Sequence, residues 1–226
     1  MGTYLVIGSS SGIGSHIASA LQRSGNQVVA INRRIVSDAD VSLTADVTVD
    51  PLPVIEEALD GLVYCPGSIT LKPFRSLRPD DILRDMNVNA LGTVRVLQQY
   101  YANLRRGQSP SVVLFSSVAA GTGMPYHASI AMAKGAVEAL TRTLAAEWAP
   151  DVRVNCIAPS LTDTPLAARL LDSDSKRASA AERHPLKTIG DSADVAGLAL
   201  SLLSSSTRFV TGQVWHMDGG ISSIRT

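Results

Sequence analysis

The stretch Tyr4-Leu-Val-Ile-Gly8-Ser-Ser-Ser-Gly12-Ile-Gly14 decides how this chain is read. A short apolar run ends in glycine, and a helical pattern follows from Gly14 to Ser24, with Ile17, Ala18 and Leu21 on one face. Gly8 allows a tight turn, Gly12 lets the backbone approach a phosphate, and Gly14 permits close packing of helix on strand. Ser10, Ser11 and Ile13 complete the loop. The helix N-terminus behind it faces negative charge with unpaired amides. Alone, such a glycine pattern is weak, because a plain loop matches it. Between a strand and a helix it points to a dinucleotide-binding turn.

Working outward, strand-like and helix-like segments alternate. Val28–Ile31, Val41–Ala45, Leu62–Cys65, Val112–Phe115, Val152–Ile157 and Val214–Met217 read as further strands. Leu62–Cys65 and Val112–Phe115 are continuous apolar runs, as strands covered on both faces should be. Helices are expected at Val54–Leu59, Pro79–Ala102, Ser129–Trp148 and Ala193–Ser204. The alternation predicts an α/β chain: a single-domain Rossmann fold over residues 1–226, with a doubly wound parallel sheet of about seven strands. Ligands of such sheets bind at the carboxyl ends of the strands.

Bulk properties fit a soluble globular domain. The 226 residues are 45% hydrophobic and 18% charged, and 20 basic residues balance 20 acidic ones. That neutrality gives no footprint for nucleic acid or an anionic membrane. Cys65 and Cys156 lie in apolar runs and read as reduced thiols; neither has the ligand company of a metal site. No signal-peptide pattern opens the chain and no apolar stretch reaches membrane-spanning length, so a cytoplasmic location is expected.

The spacing Gly-x-x-x-Gly-x-Gly resembles that of the short-chain dehydrogenase/reductase family, and further segments agree in order along nearly the whole chain. Asp46-Val47 resembles the pair that contacts adenine. Cys65-Pro-Gly67 stands where the family has Asn-Ala-Gly. Asn89-Ala-Leu-Gly92 resembles its Asn-x-x-Gly, and Phe115-Ser-Ser117 ends the strand that carries its serine. Pro159-Ser-Leu-Thr162-Asp-Thr164 resembles the stretch beside the nicotinamide, and Thr211-Gly-Gln213 to Asp218-Gly-Gly220 matches the usual ending. The resemblance implies a nicotinamide dinucleotide as cofactor, a small-molecule substrate, and a homotetramer or homodimer. The long helices Pro79–Ala102 and Ser129–Trp148 would meet in that assembly through Val94, Leu97, Ala139, Leu140 and Leu144.

At the end of the second strand, Asn32-Arg33-Arg34 offers no carboxylate for ribose hydroxyls. Arg33 and Arg34 suit a 2′-phosphate, since guanidinium groups pair with phosphate in a fork. NADP(H) is therefore expected over NAD(H); two solvated loop arginines are the competing reading.

The family runs on Asn, Ser, Tyr and Lys, which the resemblance places at Asn89, Ser117, residue 130 and Lys134. The serine holds the substrate oxygen, and the tyrosine moves the proton. The lysine binds the nicotinamide ribose and lowers the tyrosine pKa. Residue 130 is isoleucine, which has no proton to give. Tyr126 and His127 stand eight and seven residues before Lys134. Eight helical residues span about 12 Å, but Gly123 and Pro125 mark this stretch as loop, which lets Tyr126 fold back over the site. Enoyl-type reductases of the superfamily carry their tyrosine seven before the lysine, where His127 stands. Three outcomes follow: Tyr126 supplies the proton, water or substrate supplies it, or the protein binds cofactor and catalyses nothing.

Leu161–Gly190 is expected to cover the substrate, with Leu166, Leu170 and Leu171 as an apolar face and Arg169, Lys176, Arg177, Arg183 and Lys187 nearby. An amphipathic helix with a solvated face is the plainer reading.

Overall fold

The central frame grows from Thr3–Ile7 (β1), whose apolar residues pair in parallel with Gln27–Asn32 (β2) after the helix Gly12–Arg23 (α1). Val41–Thr44 (β3) joins the outer side of β2, and Gly61–Tyr64 (β4) joins the other side of β1. A helical rod follows, comprising Pro79–Met86 (α2), one π-helical turn at Asn87–Leu91, and Gly92–Leu104 (α3). Ser111–Phe115 (β5), Ala128–Trp148 (α4) and Arg153–Pro159 (β6) come next. A two-stranded ribbon, Thr162–Asp163 (β7) with Gly190–Asp191 (β8), encloses Asp174–Glu182 (α5). Ser192–Leu203 (α6) and Val214–Met217 (β9) complete the chain. This computed structural model describes residues 1–35 and 39–225.

The main sheet has seven strands in the order β3-β2-β1-β4-β5-β6-β9, all parallel. Val112, Val113 and Leu114 in β5 are fully inaccessible, which is why the strand is apolar from Val112 to Phe115 rather than alternating. One apolar layer fills the face under α3 and α4, with Val96, Leu97, Val137 and Trp148 against Leu62 and Leu114. The other packs Ile17 and Leu21 of α1 and Val195 and Leu202 of α6 against Val6, Val28 and Val113. The order of strands reverses direction between β1 and β4, and the cleft at that switch point is where such sheets bind nucleotides.

Two readings of the sequence need correction. No helix forms at Val54–Leu59; the connection runs without regular structure. Pro51 and Pro53 each lack a backbone donor, and α3 replaces the missing helical bonds with its own side chains. Asn103 Nδ2 donates to the carbonyls of Ile55 (2.6 Å) and Glu57 (2.9 Å), and Tyr100 Oη donates to that of Pro53 (2.7 Å). Leu97, expected on a free helix face, is 2% exposed and belongs to the core, where Leu140 and Leu144 also pack.

Candidate active site

The glycine loop has the geometry its sequence implies. Gly8 and Gly12 take φ of +79° and +57°, in the left-handed region that favours glycine. A Cβ on Gly14 would lie 2.3 Å from the Gly8 carbonyl oxygen, so no other residue fits beneath the turn. Ser11 caps α1 without a side-chain bond to the first turn, which leaves the leading amides of the helix to an anion. Asn32, whose role the sequence did not reveal, pins this loop from the end of β2. Its Oδ1 accepts from Ser10 N (3.1 Å) and its Nδ2 donates to Ser9 Oγ (3.0 Å).

From this loop a cleft of about 960 Å³ runs along the carboxyl ends of β2, β3 and β4. Such a volume is at the upper end of ordinary ligand pockets and suits an extended dinucleotide. Gly8, Ser10, Ser11, Gly12, Ile13, Gly14, Arg33, Arg34, Asp46, Val47, Cys65, Gly67 and Thr164 all line it, as the sequence suggests. Ser68, Arg84, Pro165 and Leu166 also line it and were not anticipated there. Arg33 and Arg34 make no ion pair among the described residues. Asp46 is held below the usual carboxylate range by bonds from the Thr48 hydroxyl (2.6 Å) and amide (2.9 Å), with Arg33 and Arg95 adding weaker support. Pro159, Thr162, Asn89, Ser117, Lys134 and Tyr126 are not part of this wall.

Lys134 sits on the inner face of α4 among Ile130, Ala133 and Val137, and is 9% exposed. Its Nζ donates to the Phe115 carbonyl at 2.8 Å, at the end of β5. Burial pushes its pKa down to about 8, against the opposing influence of Cys156, Cys65 and Asp85. Of these, Cys65 also lines the cleft. Burial pushes both thiols up to about 12, which leaves them protonated and unreactive. Ser117 Oγ accepts from Ala119 N (3.2 Å), and its own proton remains free to donate. Next to it, Ser116 is committed to Glu138 Oε1 at 2.7 Å.

Asn89 lies in the π-helical turn between α2 and α3, a distortion often found at functional positions. Its Nδ2 donates to the Asp85 carbonyl (2.9 Å), the Ser68 hydroxyl (3.1 Å) and, more weakly, the Ser68 carbonyl (3.3 Å). Its Oδ1 is buried with no partner, and it lies 3.5 Å from where a Gly67 side chain would begin. Gly92 serves packing: the Tyr64 hydroxyl, donating to the Val88 carbonyl, occupies the space of its missing Cβ. Ile130 is 3% exposed. Tyr126 sits before α4 at φ +69° and is 60% exposed, and its hydroxyl has no partner among the described residues. The His127 ring bonds the nearby Pro125 carbonyl through Nδ1 (2.7 Å).

The Leu161–Gly190 segment is ordered by its own contacts. Ala167, Leu171 and Ala180 form a small apolar cluster, and Leu166 extends to the cleft. The expected basic rim is largely neutralised: Arg177 pairs with Asp163 (2.8 Å), Lys176 with Asp172 (2.8 Å) and Lys187 with Glu182 (3.3 Å). Buried His184 ties the segment to β6, with Nδ1 on the Ala180 carbonyl and Nε2 on Ser160 Oγ, both at 2.8 Å. Among the described residues no helix is long and apolar enough to cross a membrane, and no three His, Cys, Asp or Glu side chains gather as for a metal.

Residues 7–222 match the sequence model of the family described as enoyl-(acyl carrier protein) reductase. A 2-(S)-hydroxypropyl-CoM dehydrogenase of Xanthobacter autotrophicus is 31% identical over 97% of this chain and 96% of its own length. A short-chain type dehydrogenase/reductase from Mycobacterium ulcerans superposes with a TM-score of 0.87 at 31% identity, covering 99% of this chain and 90% of the other. A gluconate 5-dehydrogenase-like protein of Beutenbergia cavernae, solved with NADP at low occupancy, gives 0.88 at 26% identity over 98% of this chain and 97% of its own. With a seven-stranded parallel sheet, a glycine cradle at its switch point and these likenesses along its length, the chain belongs to the short-chain dehydrogenase/reductase family of oxidoreductases, which bind NAD(P).

Proposed function

We propose that this chain is an NADP(H)-dependent oxidoreductase that reduces a small carbonyl compound or an enoyl thioester, with a proton donor other than residue 130. Lys134 carries the argument. An ammonium buried under a dinucleotide cleft, with no ion pair among the described residues, costs stability that an apolar side chain would not. That cost is explained if the group serves a bound ribose.

When bound, the cofactor supplies the hydride. The Gly8–Gly14 loop and the α1 N-terminus would hold its pyrophosphate, Arg33 and Arg34 a 2′-phosphate, and Asp46 and Val47 the adenine. Cys65 and Gly67 would border the nicotinamide half, with Pro159, Thr162 and Thr164 on its other side. Lys134 would bind the ribose hydroxyls. Ser117, whose hydroxyl proton is uncommitted, would donate to the substrate oxygen. Leu161–Gly190 would cover the substrate through Leu166. Leu91 and Met132, each 50% exposed on the long helices, support a homodimer or homotetramer. A cytoplasmic location accords with the free thiols.

Ile130 favours a second reading, a cofactor-binding protein without turnover that acts as a sensor or assembly partner. Calorimetry with NADPH and NADH, followed by a dihydronicotinamide absorbance assay over ketones, acetoacetyl thioesters and enoyl thioesters, separates the two. Tight NADPH binding with turnover upholds the enzyme; tight binding with none on any member moves the assignment to the sensor. Tyr126 takes part only if its loop closes over the cleft, and an unchanged turnover number in Tyr126→Phe removes it from the mechanism.

A further inference from the structure

Beyond β3 the wall of the cleft is a single tight turn, residues 46–50, of which Asp46, Val47 and Thr48 face the cavity. The amides of this turn close on Asp46. Val49 N and Asp50 N donate to its carbonyl (3.1 and 2.9 Å), and Thr48 N donates to its carboxylate (2.9 Å). Asp46 N in turn donates to the Asp50 carboxylate at 2.7 Å. Pro51 follows directly, and a proline carries no donor to extend the turn into a helix. The carbonyls of the turn therefore need donors from elsewhere in the fold.

Arg95 of α3 supplies them. Its Nη1 donates to the Val47 carbonyl at 2.5 Å and its Nη2 to the Asp50 carbonyl at 2.7 Å. One planar guanidinium thus holds two carbonyls of the turn in a fixed fork, which a lysine ammonium has no geometry to reproduce. The same cation helps to steady the Asp46 carboxylate. Arg95 is half-buried and is not itself part of the cleft wall. Further along α3, Tyr100 and Asn103 hold the carbonyls of Pro53, Ile55 and Glu57, and Arg106 Nη2 donates to that of Glu56 at 2.8 Å. Arg95 is the member of this series whose bonds end on the cofactor cleft.

We infer that Arg95 is a positioning residue for the adenine end of the cofactor, acting through the backbone of Asp46-Val47-Thr48 and not by contact. This rests on the reading of Asp46 and Val47 as the adenine wall. The consequence differs from that of the arginines at the end of β2. Arg33 and Arg34 would act on a 2′-phosphate and so serve NADP(H) alone. Arg95 acts on the shape of the turn and so serves every ligand that carries adenine. A turn that holds its receptive shape for only part of the time weakens binding in proportion to that fraction, whichever dinucleotide is offered.

Hydrogen exchange and calorimetry on Arg95→Met and Arg95→Lys test this. Methionine keeps an unbranched stem and loses every donor; lysine keeps the charge and loses the fork. In Arg95→Met the amides of Thr48, Val49 and Asp50 should exchange about tenfold faster or more, while those of β1 and β5 keep their wild-type rates. NADPH and NADH should each lose about tenfold or more in affinity, by the same factor. Arg95→Lys, the milder change, should fall between wild type and Arg95→Met in both measurements. A turn that exchanges at the wild-type rate in Arg95→Met overturns the brace. Loss of NADPH binding alone overturns it too, because Arg95 would then be a phosphate ligand. So does faster exchange throughout the sheet in both variants, which would make the residue a general support of the fold. The exchange measurement needs no cofactor. A turn loosened locally with NADPH and NADH still bound at wild-type affinity would therefore fault the adenine reading of Asp46 and Val47, and the positioning role with it, while leaving the brace itself in place.

Discussion

Replacing Lys134 by methionine should make the protein more stable and abolish its activity. Methionine keeps the unbranched stem that packs on α4 and removes only the ammonium. The pKa of Lys134 falls from an ordinary 10.5 to about 8. That difference corresponds to about 3 kcal/mol of disfavoured charge at neutral pH. The lost bond from Nζ to the Phe115 carbonyl returns about 1 kcal/mol. A net gain of about 2 kcal/mol remains, or about 4–8 °C in Tm for a chain of this size. The pH dependence is more diagnostic. Between pH 8 and 10.5 the unfolded chain still holds the lysine proton that the folded chain has released, so wild-type stability rises with pH across that window. Below about pH 8 both states are charged and the penalty is complete; above about 10.5 both are neutral and it vanishes. Urea unfolding of both proteins at a series of pH values reads this directly, because other titrating groups cancel in the difference. The methionine variant should lead by about 2 kcal/mol at pH 7 and lose that lead by the alkaline end. A variant less stable at pH 7, with a pH-independent difference, would refute the premise that the buried charge is a cost borne for function.

The other predictions concern the cofactor and the proton. Arg33→Ala should weaken NADPH binding by about tenfold or more and leave NADH nearly unchanged in calorimetry; equal loss for both would overturn the phosphate assignment. Gly14→Ala places a methyl group 2.3 Å from the Gly8 carbonyl oxygen, and should cost about 1–3 kcal/mol in unfolding experiments and distort the cofactor loop. Ile130→Tyr should raise ketone reduction above the wild-type rate if the proton donor alone limits it, measured as kcat over the carbonyl members of the panel. Unchanged kcat in a folded, NADPH-binding variant would show that the inward-facing position at 3% exposure no longer communicates with substrate.

The sheet was legible because its chemistry is local. β4 and β5 are buried on both faces, and the consecutive apolar residues of Leu62–Cys65 and Val112–Phe115 are the direct consequence. The glycine loop was legible for the same reason: positive φ and close backbone approach can be met only by glycine, so the letters carry the geometry. The failed helix at Val54–Leu59 shows the limit. Nothing within those residues announces that Asn103 and Tyr100, more than forty positions away, will satisfy their carbonyls.

The same limit governs the candidate site. Thirteen of the residues assigned to the cofactor from sequence line the cleft, since each follows a strand within a recognisable motif. Asn32 and Asp85 escaped notice because their roles exist only across the fold: Asn32 clamps a loop 22 positions earlier, and Asp85 meets Ser129 44 positions later. One signal for Asp85 was available. An acid on a helix whose neighbours pack inward is costly unless it is partnered, and a serine stands directly before the isoleucine that replaces the expected tyrosine. A packed interior accommodates a carboxyl group only where hydroxyls and a cation await it, and Ser68, Ser129 and Lys134 supply all three.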